Sequence, residues 1–568
     1  MSLLCVKDLQ VRYGEENRES SVRHLSFSME KKEIIGIVGA SGSGKSTTLL
    51  ALMGLLGEKA TVTYEQMQFS GKKIAMVFQD PSAYLNPLVL IGTQLVETIR
   101  IHTPCSKKEA KEKAEELLDL VGIREPKRRM RQYPFELSGG MCQRIVIAIA
   151  LASGADLILA DEPTTALDVT VQRQILDLLK SIVEQTDTSV LIVSHDMGVV
   201  ANFCDRVLVM EKGTLVEEGR VEDIFQKPQH PYTKQLLKDT QVEMQSTKTF
   251  IEEEPLLCAK DLSRCFQKKD KFVAVEQVSF QIYKSETFGL VGESGSGKTT
   301  LAKMLSGLLP PTSGSITGTK KVQMVFQNPY ASLNPRFSIK QILEEPLLLQ
   351  GKYTKGQREA KVIEMLELVG ISKEDKEKKP QAFSGGQRQR IAIARALIQE
   401  PELLICDEAV SALDVTIQRQ ILNLLQRLQR EKQFGMLFIS HDLSVVRYMS
   451  QRMAVMFAGK MVEIGETQKL YEEPWHPYTK QLLSATLLPF VPRYKNRKKA
   501  MFREKKEVWI PQKAQGCVFA GQCGYEMQCC KKERPDGYLF ENREVRCFLY
   551  SSEHTGKRSL GYQMSSQI

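Results

Sequence analysis

No stretch of this 568-residue sequence approaches the roughly 18 consecutive apolar residues that a membrane-spanning helix requires. The most apolar candidate, residues 145–159, is too short and is interrupted by Gly154 and Asp156. The opening MSLLCVKDLQ lacks a basic region followed by an apolar run and a cleavage site, so no signal peptide is expected. There is no large charge imbalance either: a net charge of +10 over this length reads as ordinary surface charge rather than as the mark of a nucleic-acid binder. Any work at a membrane would therefore need spanning helices from another chain.

What is present fits a folded, soluble protein: 42% hydrophobic and 26% charged residues. The length is too great for one ordinary core and implies two to four domains. Of the 12 cysteines, seven are scattered, whereas Cys517, Cys523, Cys529, Cys530 and Cys547 crowd the tail. For a cytosolic chain, that clustering favours metal binding over disulfides.

The chain repeats itself. LLCVKDLQVRY at 3–13 returns as LLCAKDLSRCF at 256–266, and MVFQDPSAYLNP at 76–87 returns as MVFQNPYASLNP at 324–335. HPYTKQLL occurs at 230–237 and at 476–483. A period of about 250 residues means duplicated domains rather than a solenoid. The expected division is a first domain at 1–238, a short polar linker at 239–255, a second domain at 256–490, and a basic segment with a cysteine-rich tail at 491–568. In each copy β-rich sequence comes first. Apolar strands such as 34–39, 157–163, 287–292 and 403–409 then alternate with helical patterns such as 108–122. That alternation predicts α/β domains with a mainly parallel core sheet.

The pattern G-x-x-x-x-G-K-[ST] occurs twice, from Gly39 to Ser46 and from Gly292 to Thr299, each time after a strand pattern and at the start of a helix pattern. Its glycines and small residues (Gly39, Ser41, Gly42, Ser43, Gly44 and Thr47; Gly292, Ser294, Gly295, Ser296, Gly297 and Thr300) let backbone N–H groups wrap phosphates at a helix N-terminus. Lys45 and Lys298 would reach the β/γ-phosphates, and Ser46 and Thr299 would bind Mg²⁺. Asp161 and Asp407 end apolar strands and suit the second metal-holding position. Glu162 and Glu408 follow them, placed to orient or deprotonate an attacking water. His195 and His441 each lie 34 residues beyond those aspartates, which supports a shared role in sensing the γ-phosphate.

LSGGMCQR (137–144) and FSGGQRQR (383–390) resemble the signature of the ABC superfamily, and the likeness extends over residues 1–490. The resemblance implies ATP and Mg²⁺ as ligands, adenine stacking on Tyr13 and Phe266, and Q-loop glutamines Gln79 and Gln327 that reach the metal. It also implies D-loops at Ala166-Leu167-Asp168 and Ala412-Leu413-Asp414. Two ATP would bind head to tail, Lys45 working with Ser384, Gly385, Gly386 and Gln387, and Lys298 with Ser138, Gly139 and Gly140. Met141 stands where the common signature has Gln; its Ser and both Gly are intact. Neither half lacks its Glu or His, so both sites are expected to hydrolyse ATP.

The FQDPSAYLNP and FQNPYASLNP runs, the DEPTTALDVTVQ and DEAVSALDVTIQ strings and the HPYT tails look like the oligopeptide/dipeptide importer ATPases, with the two usual subunits, D-type and F-type, fused in one chain. That implies two integral-membrane permease subunits as partners, an extracytoplasmic solute-binding protein acting through them, a peripheral position at the cytoplasmic face of the membrane, and no nucleic acid. Coupling segments would follow Gln79 and Gln327. The same engine serves di- and oligopeptides, nickel or metal chelates, and other solutes. In the tail, Cys517, Cys523, Cys530 and Cys547 follow a C-x₅-C-x₆-C-x₁₆-C spacing that resembles the same family's [4Fe-4S] ligands. Four thiolates suit Zn²⁺ equally well, and Cys529 makes the third ligand ambiguous. The eight basic residues within 493–506 read as a solvated linker, with anionic lipid as the alternative partner. A tandem ABC protein acting on ribosomes would carry a long charged helical linker, and a DNA-repair ABC ATPase would carry large insertions. The sequence has neither.

Overall fold

The computed structural model describes residues 2–14, 20–123, 125–164, 167–240, 254–267, 271–411, 413–486, 516–540 and 542–551. The linker residues 241–253, the basic segment 493–506 and the D-loop alanines Ala166 and Ala412 lie outside the described residues. The chain forms two compact units, one built mainly from residues 1–241 and the other mainly from 242–486 with the cysteine-rich element.

In the first unit, Ser2–Tyr13 pairs antiparallel with Val22–Glu30, Ala60–Thr63 and Gln66–Phe69. A six-stranded sheet follows, in the order Thr214–Arg220, Arg206–Glu211, Ile34–Val38, Ser189–Val193, Leu157–Asp161, Ile74–Val77. All its pairs are parallel except the one that brings in the edge strand Thr214–Arg220. Ile34–Val38 and Ser189–Val193 are buried along their whole length, as expected for strands covered on both faces, and this is why their sequences are continuous apolar runs. One face packs on the antiparallel sheet through Leu9, Ile35, Ile37 and Leu159. The other face packs on helices through Ile34, Ile158, Val190 and Ile192. The helix Val169–Gln185 turns Ile175, Leu179, Ile182 and Val183 inward, a helical apolar stripe. Each such fully buried side chain contributes about 1.5–3 kcal/mol of transfer free energy. The predicted helix at 108–122 is found as Lys107–Leu120, opened by a capping box between Ser106 and Glu109.

The second unit repeats this plan. A three-stranded antiparallel sheet is formed by Lys271–Tyr283, Pro255–Gln267 and Ser313–Gly318. The core sheet runs Val322–Val325, Leu403–Asp407, Gly435–Ile439, Thr287–Val291, Arg452–Phe457, Lys460–Glu466, and then continues with Arg543–Val545 and Tyr538–Phe540. Those last two strands come from the cysteine-rich tail, which therefore docks by adding strands to an exposed sheet edge. The α/β class and the mainly parallel core are as the sequence predicts. The continuation of the sheet into the tail is not foreseen there.

Candidate functional site

In each unit the strand leading into a phosphate loop lies beside the strand ending in histidine, which lies beside the strand ending in aspartate. The parallel register sets Asp161 opposite Val193, and Val193 opposite Ile37. The carboxyl ends of three strands thus deliver Gly39, His195 and Asp161 to one edge, the ligand position of an open α/β sheet. Gly39 and Gly292 each have φ 155°, and a Cβ there would meet the carbonyl oxygen of Met210 or Met456 at 2.2 Å. Only glycine fits so close to the neighbouring strand.

Lys45 is 7% exposed and its Nζ donates to the carbonyls of Gly39 and Ala40, both at 2.8 Å. Burial pushes its pKa down, against the pull of Glu162 and Asp161. Lys298 does the same with the carbonyls of Gly292 and Glu293, both at 2.8 Å. Ser46 Oγ donates to Asp161 Oδ1 at 2.9 Å, and Thr299 Oγ1 to Asp407 Oδ1 at 3.2 Å. Burial raises both aspartate pKa values, with the adjacent glutamates adding to the rise.

Glu162 and Glu408 have φ 46° and 47°, a left-handed conformation that is costly for a side chain of this kind and is reproduced in both copies. It turns each carboxylate toward the Q-loop and the histidine. Gln79 Nε2 donates to Glu162 at 2.9 Å, and Gln327 Nε2 to Glu408 at 2.8 Å. His195 Nδ1 lies 3.1 Å from Glu162, and His441 Nδ1 3.5 Å from Glu408. Burial would depress the His195 pKa, but the hydrogen bond and charge of Glu162 outweigh it and the net shift is upward. Burial would raise Glu408, but His441 and Lys298 hold it below the ordinary value.

Ser138 and Ser384 are the N-caps of Gly139–Ala152 and Gly385–Leu397. Gln387 returns a bond to the Ser384 N–H and completes a capping box, which Met141 cannot do for Ser138. A Cβ on Gly140 would meet Val171 at 2.6 Å, and one on Gly386 would meet Ile417 at 2.5 Å, so the second glycine of each signature lets two helices pack closely. Tyr13 is 40% exposed near the end of its strand, and Phe266 carries the Arg264 guanidinium 4.9 Å above its ring.

The ABC transporter family model matches residues 22–165 and 275–411, and that of the oligopeptide/dipeptide transporter C-terminal region matches 216–265 and 462–530. The chain is 41% identical to the glutathione import ATP-binding protein GsiA of Escherichia coli strain K12, over 85% of this chain and 89% of that protein. This chain belongs to the ABC transporter ATP-binding proteins of the oligopeptide/dipeptide importer type. It is an ABC-type ATPase subunit. The GsiA protein of Escherichia coli O6:H1 matches equally, at 41% over 85% of this chain and 89% of its own length. Among solved structures, the archaeal ribosome recycling factor aABCE1 aligns with a TM-score of 0.57 at 21% identity, over 80% of this chain and 89% of that one. That likeness is one of fold.

In this ABC protein the oligopeptide-type C-terminal region includes the HPYT segments and much of the cysteine element. Cys517, Cys523, Cys530 and Cys547 line one pocket together with Phe519, Met527 and His476, and Cys529 is not among its lining residues. Burial raises all four thiols, Cys523 to about 11 and Cys547 to about 12, and each lies within the electrostatic reach of others in the set. An all-sulfur donor set suits a soft metal or an iron–sulfur cluster. Among the described residues, no three such groups are gathered closely enough to hold one metal ion.

Sequence reasoning missed two features. The Tyr232 hydroxyl accepts from the Ala40 N–H at 2.8 Å, and the Tyr478 hydroxyl from the Glu293 N–H at 3.1 Å. The buried Glu463 accepts from Trp475 N, His476 N and Arg543. The recurrence of HPYT was the available signal for the first. For the second there was none.

Proposed function

We propose that this chain powers the import of di- and oligopeptides through a separate pair of membrane permease subunits, at the cytoplasmic face of the membrane. The observation that carries the reading is the complete catalytic set in both copies, joined to the oligopeptide/dipeptide C-terminal region. The relatives are named for glutathione import, and glutathione is a small peptide. An extracytoplasmic solute-binding protein would choose the cargo.

In this reading each phosphate loop cradles a nucleotide. Ser43 Oγ is buried with no hydrogen-bond partner among the described residues, which suits a loop shaped for an added acceptor. Lys45 and Lys298 would exchange their carbonyl partners for phosphate oxygens. Ser46 with Asp161, and Thr299 with Asp407, offer the hard oxygen ligands that Mg²⁺ prefers, and Mg²⁺ would supply charge neutralisation at the phosphates. Gln79 and Gln327 would join those ligands. Glu162 and Glu408 hold the attacking water, each oriented by its histidine. The signature serines, Ser138 and Ser384, would complete the site of the opposite copy, as the family resemblance implies. The four thiols that line the tail pocket, Cys517, Cys523, Cys530 and Cys547, would serve as ligands of a [4Fe-4S] cluster; their spacing disfavours Zn²⁺, which needs its ligands around one ion.

Reconstituting the chain with its cognate permease in vesicles tests the function. Peptide uptake that needs ATP and both Walker lysines is expected. Uptake of nickel chelates but not peptides would overturn the substrate class, and failure to bind any permease would overturn the importer reading.

A further inference from the structure

The first peptide unit of each phosphate loop is held from both ends. In the second copy, the Gly292 carbonyl accepts from Lys298 Nζ at 2.8 Å, while the N–H of the same peptide, on Glu293, donates to Tyr478 Oη at 3.1 Å. In the first copy, the Gly39 carbonyl accepts from Lys45 Nζ at 2.8 Å and the Ala40 N–H donates to Tyr232 Oη at 2.8 Å. When the lysine turns to a phosphate, its hold on the peptide is lost and the tyrosine's remains. A peptide with one end released can rotate, and rotation would redirect the carbonyl and N–H at the mouth of the loop.

The two tyrosines differ in what surrounds them. Tyr232 is partly exposed. Tyr478 is 0% exposed, against Phe457 at 4.5 Å and Phe519 at 5.5 Å between ring centroids. Phe519 belongs to the cysteine element and lines the thiol pocket. Phe457 also meets Phe519 edge-on at 5.4 Å, whereas the end of the corresponding strand in the first copy is the polar Glu211. What the copies share is the cap: His476 Nδ1 accepts from the Tyr478 N–H at 3.0 Å, and His230 Nδ1 from the Tyr232 N–H at 3.2 Å, so the difference lies in the rings around Tyr478. In aromatic packing of this kind, a ring's position is set by its neighbours as firmly as by its own torsions.

We propose that Tyr232 and Tyr478 are positioning residues for the two phosphate loops, and that the cysteine element, through Phe519 packed at a tilt against Tyr478, tightens the second loop only. The two loops then differ in nucleotide affinity although their loop sequences are nearly the same. The proposal rests on the reading that both loops bind ATP.

The test is equilibrium binding of a non-hydrolysable ATP analogue to the full chain, one loop silenced by Lys45→Ala or Lys298→Ala. Tyr478→Phe keeps the ring and removes the hydroxyl, and should weaken the second site about fivefold, the effect of one hydrogen bond. It should also speed hydrogen exchange at the Glu293 amide, with little change in Tm. Tyr232→Phe should do the same at the first site. Phe519→Leu, which keeps an apolar side chain, should weaken the second site alone and add nothing in a Tyr478→Phe background. Unchanged affinity and unchanged Glu293 exchange in Tyr478→Phe would overturn the positioning role. Equal loss at both sites in Phe519→Leu, or full additivity with Tyr478→Phe, would overturn the action of the cysteine element. Absence of analogue binding at the unsubstituted second site would instead refute the two-site reading beneath it.

Discussion

The guanidinium of Arg543 pairs with the carboxylate of Glu463 in the interior of the second unit, the two residues 4% and 1% exposed. Arg543 also lies 3.9 Å over the Trp475 ring, and Glu463 caps the Trp475 and His476 N–H groups. The corresponding Glu217 of the first unit caps Gln229 and His230 in the same way. The tail therefore supplies an arginine to a carboxylate whose capping role is common to both copies. Removing one partner of a buried pair leaves the other charged and unpaired, at a cost of about 3–5 kcal/mol. Arg543→Met should loosen the strands Tyr538–Phe540 and Arg543–Val545, seen as loss of hydrogen-exchange protection there and a lower denaturant midpoint. Arg543→Met with Glu463→Gln should recover part of the loss. Wild-type protection in the single variant would refute the pairing.

Glu162 and Glu408 hold the same strained backbone and the same partners, so neither site has an evident catalytic deficit. Glu162→Gln and Glu408→Gln should each trap ATP and slow hydrolysis at their own site by roughly 10²–10⁴-fold, the range for removing a general base. Single-turnover hydrolysis with the other site silenced measures this. If one substitution leaves full ATPase activity and the other abolishes it, the sites are not equivalent.

Much of this site was legible in the sequence because its motifs are local. Gly39 to Ser46 needs only a strand, a turn and a helix in succession, and the apolar run 157–160 announces a buried strand whose end must be Asp161. Long-range partners were not legible. Tyr478 meets a backbone N–H 185 residues away, and Arg543 a carboxylate 80 residues away. The tail strands have three residues each, too few to show a period, and exist because Lys460–Glu466 offers an edge to pair with. The choice between Cys529 and Cys530 likewise depended on which of two adjacent side chains faces the pocket, which spacing alone does not decide.

Because Cys530 lines the thiol pocket and Cys529 does not, their substitutions should separate. In protein purified without oxygen, Cys530→Ser should lose the iron, the sulfide and the visible absorption of a bound cluster, whereas Cys529→Ser should keep all three. Zinc in place of iron, lost in Cys530→Ser only, would transfer the pocket to that metal. Equal loss in both variants would contradict the assignment of the third ligand.

His195 has an ordinary value of 6.5, burial that opposes its charge, and a Glu162 carboxylate that more than compensates, so its folded pKa is raised. Over the interval between 6.5 and that raised value, the folded protein binds more protons than the unfolded chain. The stability contributed by the pair is thus complete below the unfolded value and is lost as pH rises through the folded one. Histidine NMR should show His195 titrating above 6.5, and the first unit should become easier to unfold with urea as pH rises across that interval. In Glu162→Gln the hydrogen-bonded carboxylate is gone while burial remains and only the weaker pull of Asp196 is left, so the His195 titration should fall and the alkaline loss of stability should shrink. A titration that stays raised in Glu162→Gln would show that another group holds the proton.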